Sequence, residues 1–458
     1  MESRFDLGMR VRQEVLGKEH VGASHLSNIE RPDGFSAVVV DFLPVSVRSI
    51  NPMQQREAVI VGYVRSPVGR YGGALAMLRP DSLAAHVLRV LVERTGIDPA
   101  DVDDVILGCA NQAGEDNRNV ARMALLLADF AVDVPGQTVN RLCGSGLQAL
   151  NSAAQAIWGN QGDLFVAGGV ESMSRAPVVM LKAEHAFARG VPDMADSTLG
   201  WRFPHPDLVA DGHTATLGET AENVAERRGV SRQEQDEFAL LSQLKAARAQ
   251  QNGRLAEEIV PTRVPARKAE VVEVMEDEHP RPNTTMEALA KLRPAFAKDG
   301  SVTAGNSSGI NDGAAMLLVA SAERARDLGL EPLARVVSTA VAGVRPDEMG
   351  LGPIPASRKA LQRAGLAIDD MQIVELNEAF ASQAIASMDD LGVDWRDESR
   401  VNPNGGAIAL GHPLGASGVR LAGTGTLELR RQDKRYALVS MCIGVGQGIA
   451  TVLERAGA

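Results

Sequence analysis

Residues 143–169 read CGSGLQALNSAAQAIWGNQGDLFVAGG, and residues 415–442 read GASGVRLAGTGTLELRRQDKRYALVSMC. Each opens on a glycine-punctuated turn, runs into a stretch of helical pattern and ends in an apolar, strand-like segment. The interval from Gly146 to Gly418 equals that from Val166 to Leu438, so the two stretches are in register. Upstream, ERTGIDPADVDDVIL at 93–107 parallels QRAGLAIDDMQIVEL at 362–376, with a short gap. A self-similarity of this length marks a duplicated supersecondary unit. The strands are near-continuous runs of Val, Ile, Leu and Ala, the composition of strands covered on both faces by helices. The reading is an α/β fold of two repeated halves with mainly parallel sheets.

Outward from the repeat, the chain divides into four stretches. Residues 1–55 form an N-terminal appendage or linker, with a short helical pattern over Met9–Leu16, an apolar run over Ala37–Val47, and Pro44 and Pro52 interrupting. Residues 56–174 are the first half, to which 308–332 return, and residues 333–458 are the second. Residues 175–307 have no counterpart in the repeat and read as an inserted loop domain, a usual place for substrate selection over a rigid scaffold.

Composition narrows the function. A net charge of −11 argues against a general nucleic-acid or anionic-membrane binder. No run of eighteen apolar residues is present, so no membrane span is expected. The N-terminus lacks an apolar secretory stretch, and the cytoplasm is the expected compartment. Three cysteines, Cys109, Cys143 and Cys442, have neither metal-site spacing nor the number for a disulfide framework, and no metal site is expected. The forty-five glycines against 3% aromatics point to close backbone packing.

Cys143 follows a strand-like segment and opens a helix, where unpaired N–H groups and the positive helix end favour a thiolate. Cys442 stands at the end of the matching strand of the second half, the edge at which open α/β sheets bind ligands. His412 lies in NPNGGAIALGHPLGASG, a glycine-rich loop feeding another helix. Singly, each has an ordinary structural reading. Together they supply a nucleophile, a base and a second acid/base group, the set that carbon–carbon bond chemistry between thioesters needs. Cys109 reads as core packing, and the glycines of GGVES lack the acidic partner of a dinucleotide site.

From about Arg56 to the end, the chain resembles the thiolase family (acetyl-CoA acyltransferases). NRLCGSGLQA, GGVESMSRAP, TAGNSSGINDGAA, ELNEAF, NPNGGAIALGHPLGASG and MCIGVGQG carry the resemblance, in order. It implies a five-layered αβαβα core plus loop domain, coenzyme A and acyl-CoA as substrates, no permanently bound cofactor, and a homodimer or homotetramer. It further implies that Cys143 is acylated, His412 activates it, and Cys442 moves a proton at the α-carbon or leaving thiolate. Asn377, through a water, and the amides of Cys143 and Gly444 would form oxyanion holes. Arg281, Phe296, Ala304, Ser308 and Phe380 would bind coenzyme A.

Where many biosynthetic members carry His-Met, this chain has Thr216-Leu217. NQAGEDNRNVARMALLLA and STLGWRFPHP instead look like the β-ketoadipyl-CoA thiolase subgroup of aromatic degradation, with general acetyl-CoA C-acetyltransferase or fatty-acid 3-ketoacyl-CoA thiolase activity as the alternative. Such a substrate carries a terminal carboxylate. Arg202 is the candidate to grip it, unless it pairs on the surface with Asp207 or Asp211. Residues 4–21, RFDLGMRVRQEVLGKEHV, resemble the opening of carboxymuconolactone decarboxylases, but the rest of that domain is absent and the activity is not implied. A ketoacyl synthase would pair one cysteine with two histidines, or with His and Asn, and Cys442 speaks against it. A non-catalytic binder would have lost one of the three reactive residues, and this chain keeps all three.

Overall fold

The computed structural model describes residues 56–187, 189–265 and 270–458. The helical pattern, apolar run and decarboxylase-like segment of the appendage lie outside the described residues. The first half contains β1 (Ala58–Arg65), α1 (Pro80–Thr95), β2 (Asp104–Gly108), α2 (Val120–Leu127), β3 (Gly136–Val139), α3 (Ser145–Trp158) and β4 (Leu164–Ser172). Next come α4 (Leu217–Arg228) and α5 (Arg232–Gln251), each opened by a capping box, from Thr216 to Glu219 and from Ser231 to Glu234. β5 (Asn311–Ser321), buried along its whole length, then returns to the first half. The second half has β6 (Ala334–Gly343), α6 (Pro353–Ala364), β7 (Ile373–Leu376), α7 (Ala381–Leu391), α8 (Leu414–Arg431), β8 (Tyr436–Ile443) and β9 (Gln447–Arg455).

Strand order shows the duplication directly. The first half runs β3-β2-β4-β5-β1 and the second β7-β8-β9-β6, with a parallel bridge from Val374 to Val401 where β3 would stand. β2 is parallel to β3 and β4, as β7 is to β8, whereas β5 and β9 are antiparallel to their neighbours. An antiparallel seam, Val59 with Arg335 and Ile60 with Ala334, joins the halves. The expectation of mainly parallel sheets is therefore corrected: the sheet is mixed. Continuous apolar runs report burial on both faces, and two-sided burial does not require a parallel neighbour.

Three apolar clusters separate the layers. One packs α1 and α2 on the first half's sheet, and another packs strands of the second half with α6 and α7. The central cluster joins both halves through α3 and α8, with Leu147, Leu150, Val419 and Leu421 fully buried. Each such side chain contributes about 1.5–3 kcal/mol on burial. The helices of this central layer meet on the repeat glycines. A Cβ on Gly146 would strike the carbonyl oxygen of Gly415, and one on Gly418 would strike the backbone of Leu147. Only glycine lets the two backbones approach this closely.

Candidate active site

Cys143 sits on the turn between β3 and α3. Leu142, just before it, has φ +46°, a left-handed conformation that is costly for a side chain with a Cβ. Neighbouring groups hold the turn: Leu142 N–H donates to Asn140 Oδ1 at 2.9 Å. Ser145 Oγ donates to Leu142 O at 2.6 Å and accepts from Arg141 N–H at 2.8 Å. The fold thus spends local strain to fix the direction of one thiol.

His412 is buried at the start of α8, after Gly411 with φ +100°. Its main-chain N–H donates to Asn311 Oδ1 at 2.9 Å. Ser417 Oγ commits its proton to Pro413 O at 2.9 Å, so the 2.6 Å contact with His412 Nδ1 requires the imidazole to donate there. The network thereby assigns the tautomer with Nε2 unprotonated, 3.2 Å from Asn377 Nδ2. Asn377 directly follows β7, and its buried Oδ1 has no hydrogen-bond partner among the described residues. Glu378 holds the glycine loop, accepting from Ser242 Oγ at 2.6 Å and Asn402 Nδ2 at 2.7 Å. Cys442, near the end of β8, is buried among Phe380, Met349 and Ala379, with Leu217 packed against that cluster.

Electrostatics correct one expectation. Burial pushes the Cys143 thiol up to about 11, against the lowering effect of the Gly444 and Cys143 amides. The helix start therefore does not make a standing thiolate, because desolvation outweighs it. Burial, with Arg420 adding to it, holds His412 down to about 3, so the imidazole is neutral across the physiological range. Cys442 is pushed up by burial and by the nearby Cys143. If His412 is the base for Cys143, a neutral imidazole and a neutral thiol exchange the proton only as the reaction proceeds. We expect kcat/KM for acylation to be flat between about pH 5 and 9. A fall with a midpoint near 6.5, the ordinary imidazole value, would show His412 titrating freely.

A cavity of about 300 Å³ opens over the thiol, lined by Cys143, Gly444, Leu217, Trp201, Arg202 and His213, among others. Arg202 Nη1 donates to Asn111 Oδ1 at 3.3 Å, and no ion pair with Asp207 or Asp211 is present among the described residues. Asp207 instead faces His205 at 3.7 Å. Phe296 and Phe380 meet edge to face, centroids 6.1 Å apart, and the Phe296 ring covers Gly218 at the start of α4. Ser308 N–H donates to Ala379 O at 2.9 Å beside Phe380, and Ala304 is exposed in the preceding turn. Arg281 is exposed and fastened by its N–H to Gln243 Oε1 at 2.7 Å.

Several supporting residues went unnoticed in the sequence. Glu171 accepts from the N–H groups of Ala110, Asn111 and Gly415, tying β4 to two loops of the site. Ser417 and Asn311 clamp His412 from two sides. Ser417 lies five residues after His412, in the first turn of α8 and within the same glycine-rich stretch of sequence, a nearness that was available as a signal. Asn311 and Glu171 lie within the signature stretches TAGNSSGINDGAA and GGVESMSRAP, but the linear order does not show that they reach His412 and the loops at Ala110 and Gly415. Among the described residues no group of three His, Cys, Asp or Glu side chains could hold a metal ion.

A duplicated α/β core with a buried thiol in each half and a buried imidazole in a glycine-rich loop agrees with the acyltransferase class that comparison with known proteins shows. The chain belongs to the thiolase family. Residues 58–323 match the family's "Thiolase, N-terminal domain" and residues 330–455 its "Thiolase, C-terminal domain". It is 58% identical over 401 residues to the "3-oxoadipyl-CoA/3-oxo-5,6-dehydrosuberyl-CoA thiolase" of Escherichia coli (strain K12), covering 87% of this chain and 100% of the relative. A "Beta-ketoadipyl-CoA thiolase" of Acinetobacter baylyi is 54% identical with the same coverage of each chain. The crystal structure of the Bacillus anthracis acetyl-CoA acetyltransferase superposes with a TM-score of 0.82 at 41% identity, covering 88% of this chain and 99% of that one.

Proposed function

We propose that the protein cleaves β-ketoadipyl-CoA with coenzyme A to succinyl-CoA and acetyl-CoA, or runs the reverse Claisen condensation. The names of the relatives at 54–58% identity support the substrate. In this reading His412 Nε2 takes the proton of Cys143 as the thiol attacks the keto carbon. The amides of Cys143 and Gly444 receive the developing oxyanion. Cys442 protonates the departing acetyl-CoA carbanion, and coenzyme A then collects the succinyl group. Asn377 Oδ1, otherwise without a partner, suits a water held against His412. Arg281, Phe296, Ala304, Ser308 and Phe380 bind coenzyme A along the wall of the 175–307 loop domain, which selects the acyl chain. The enzyme is a cytoplasmic homo-oligomer. No helix of the described residues is long and apolar enough to cross a membrane, and exposed apolar side chains on one segment, Val178, Met180, Leu181, Phe187 and Met194, favour self-association.

The observation that carries the substrate assignment is Arg202. Its guanidinium lines the cavity that holds Cys143, and its one side-chain partner among the described residues is a neutral amide. A carboxylate taken out of bulk water needs such a cation, and a guanidinium can grip it with two parallel hydrogen bonds. Arg202→Ala should cut kcat/KM for β-ketoadipyl-CoA by roughly ten- to a thousandfold, the span of a lost charged contact of about 1.5–4 kcal/mol. Acetoacetyl-CoA, which lacks the carboxylate, should be nearly unaffected. An equal loss on both substrates would reject Arg202 as the selector.

A further inference from the structure

Gln383, in the first turn of α7, is completely buried and has no place in the reaction described so far. Its carboxamide points at Cys442, with one terminal atom 2.9 Å from Sγ. Main-chain partners decide which atom that is. With the oxygen facing the sulfur, it would also face the carbonyl of Asn377, and the NH₂ group would face the N–H of Ala384. With the nitrogen there instead, it donates to Asn377 O at 3.3 Å while the oxygen accepts from Ala384 N–H at 2.6 Å. The second orientation gives both ends of the carboxamide a main-chain partner and adds to the bond that Ala384 N–H already makes to Phe380 O at 3.2 Å, whereas the first sets like groups against like. The amide carries two protons. One goes to Asn377 O, which leaves the other for Cys442 Sγ.

The packing around Gln383 keeps the side chain in this position. A Cβ on Gly350 would lie 2.6 Å from Gln383 Cβ, so only glycine at 350 leaves room for it. The same amide touches the backbone of Asn377, whose side chain reaches His412. Cys442 itself sits in an apolar cluster that offers its sulfur little else to bond with.

We propose that Gln383 is a positioning residue that donates a hydrogen bond to the Cys442 thiolate and so sets the strength of that sulfur as a base toward the α-carbon of acetyl-CoA. The inference rests on Cys442 being the acid/base group. In the condensing direction the thiolate takes a proton from the acetyl methyl group: a C–H bond breaks, an S–H bond forms, and the electron pair passes to the enolate. The amide N–H steadies the sulfur only while it is anionic, because charge-assisted hydrogen bonds are the stronger ones. It thereby opposes the upward push of burial on this thiol.

Deuterium incorporation into the methyl group of acetyl-CoA in D₂O, followed by mass spectrometry against pH with full-length protein, tests this. Gln383→Leu should slow exchange roughly ten- to a hundredfold, the span of a lost hydrogen bond to a charged group. Its pH dependence should move to higher pH by about one unit or more. Gln383→Glu, isosteric but with a carboxylate facing the sulfur, should move it further in the same direction. Thermal melting of both variants shows whether each is folded. Exchange within threefold of the unsubstituted enzyme in a folded variant would overturn the proposal. So would an equal loss of exchange and Cys143 acylation with an unchanged pH profile, the mark of a merely structural role. Cys442→Ala in the same assay separates the two readings. Exchange that survives it removes Cys442 as the base and the proposal with it, whereas exchange that vanishes leaves Gln383 judged by its own variants.

Discussion

Cys143→Ser should abolish acyl-enzyme formation and lower turnover by on the order of 10⁴-fold or more, the scale of losing a catalytic nucleophile. Intact-mass analysis after acetyl-CoA treatment should show an acetyl adduct on Cys143 in the unsubstituted protein and none in the variant. The fold should survive. The side chain differs by one atom, and the turn is held by Asn140 and Ser145 rather than by the sulfur. A hydroxyl is far harder to deprotonate than a thiol, and neutral His412 is too weak a base to compensate. All three thiols are buried and unpaired, so modification of Cys143 alone would itself be informative. Cys109 is committed to Asn111 O at 3.0 Å in the first-half core, and an adduct there, or on Cys442, would sink the assignment.

Cys442→Ser should separate the half-reactions. In the proposed mechanism acylation of Cys143 calls on the thiol, His412 and the main-chain amides, so a burst of acyl-enzyme should persist. Proton transfer at the α-carbon then lacks its group, and steady-state turnover should fall by roughly 10²–10⁴-fold, the range for a positioned general acid or base. Rapid-quench measurement of the burst beside the steady-state rate distinguishes these. Near-normal turnover would remove Cys442 from the mechanism, and loss of the burst would show that the two thiols do not divide the work.

The architecture was legible because duplication leaves an interval in the sequence. The turn at Gly146 and the strand at Val166 repeat at Gly418 and Leu438, and the structure packs Gly146 on Gly415 and Gly418 on Leu147 where α3 meets α8. Strand direction was not legible, since a run such as NDGAAMLLVAS is equally apolar whether its neighbours run with it or against it. At the site, the helix-start position of Cys143 was read correctly, but its charge state was not. Local sequence shows the amides that favour a thiolate and hides the burial that opposes it. Arg202 was placed as a candidate from its segment, and only the fold could show that Asp207 turns to His205 and leaves the guanidinium in the cavity. The contacts of Gln383, Asn311 and Glu171 span tens to hundreds of residues, so even where a residue lay in a quoted signature its partners left no local pattern.

The most direct test of the account is a side-by-side thiolysis assay of the purified protein with β-ketoadipyl-CoA, acetoacetyl-CoA and a medium-chain 3-ketoacyl-CoA. The account predicts the highest kcat/KM for β-ketoadipyl-CoA, with succinyl-CoA and acetyl-CoA as products. A higher kcat/KM for either substrate lacking the terminal carboxylate would contradict it.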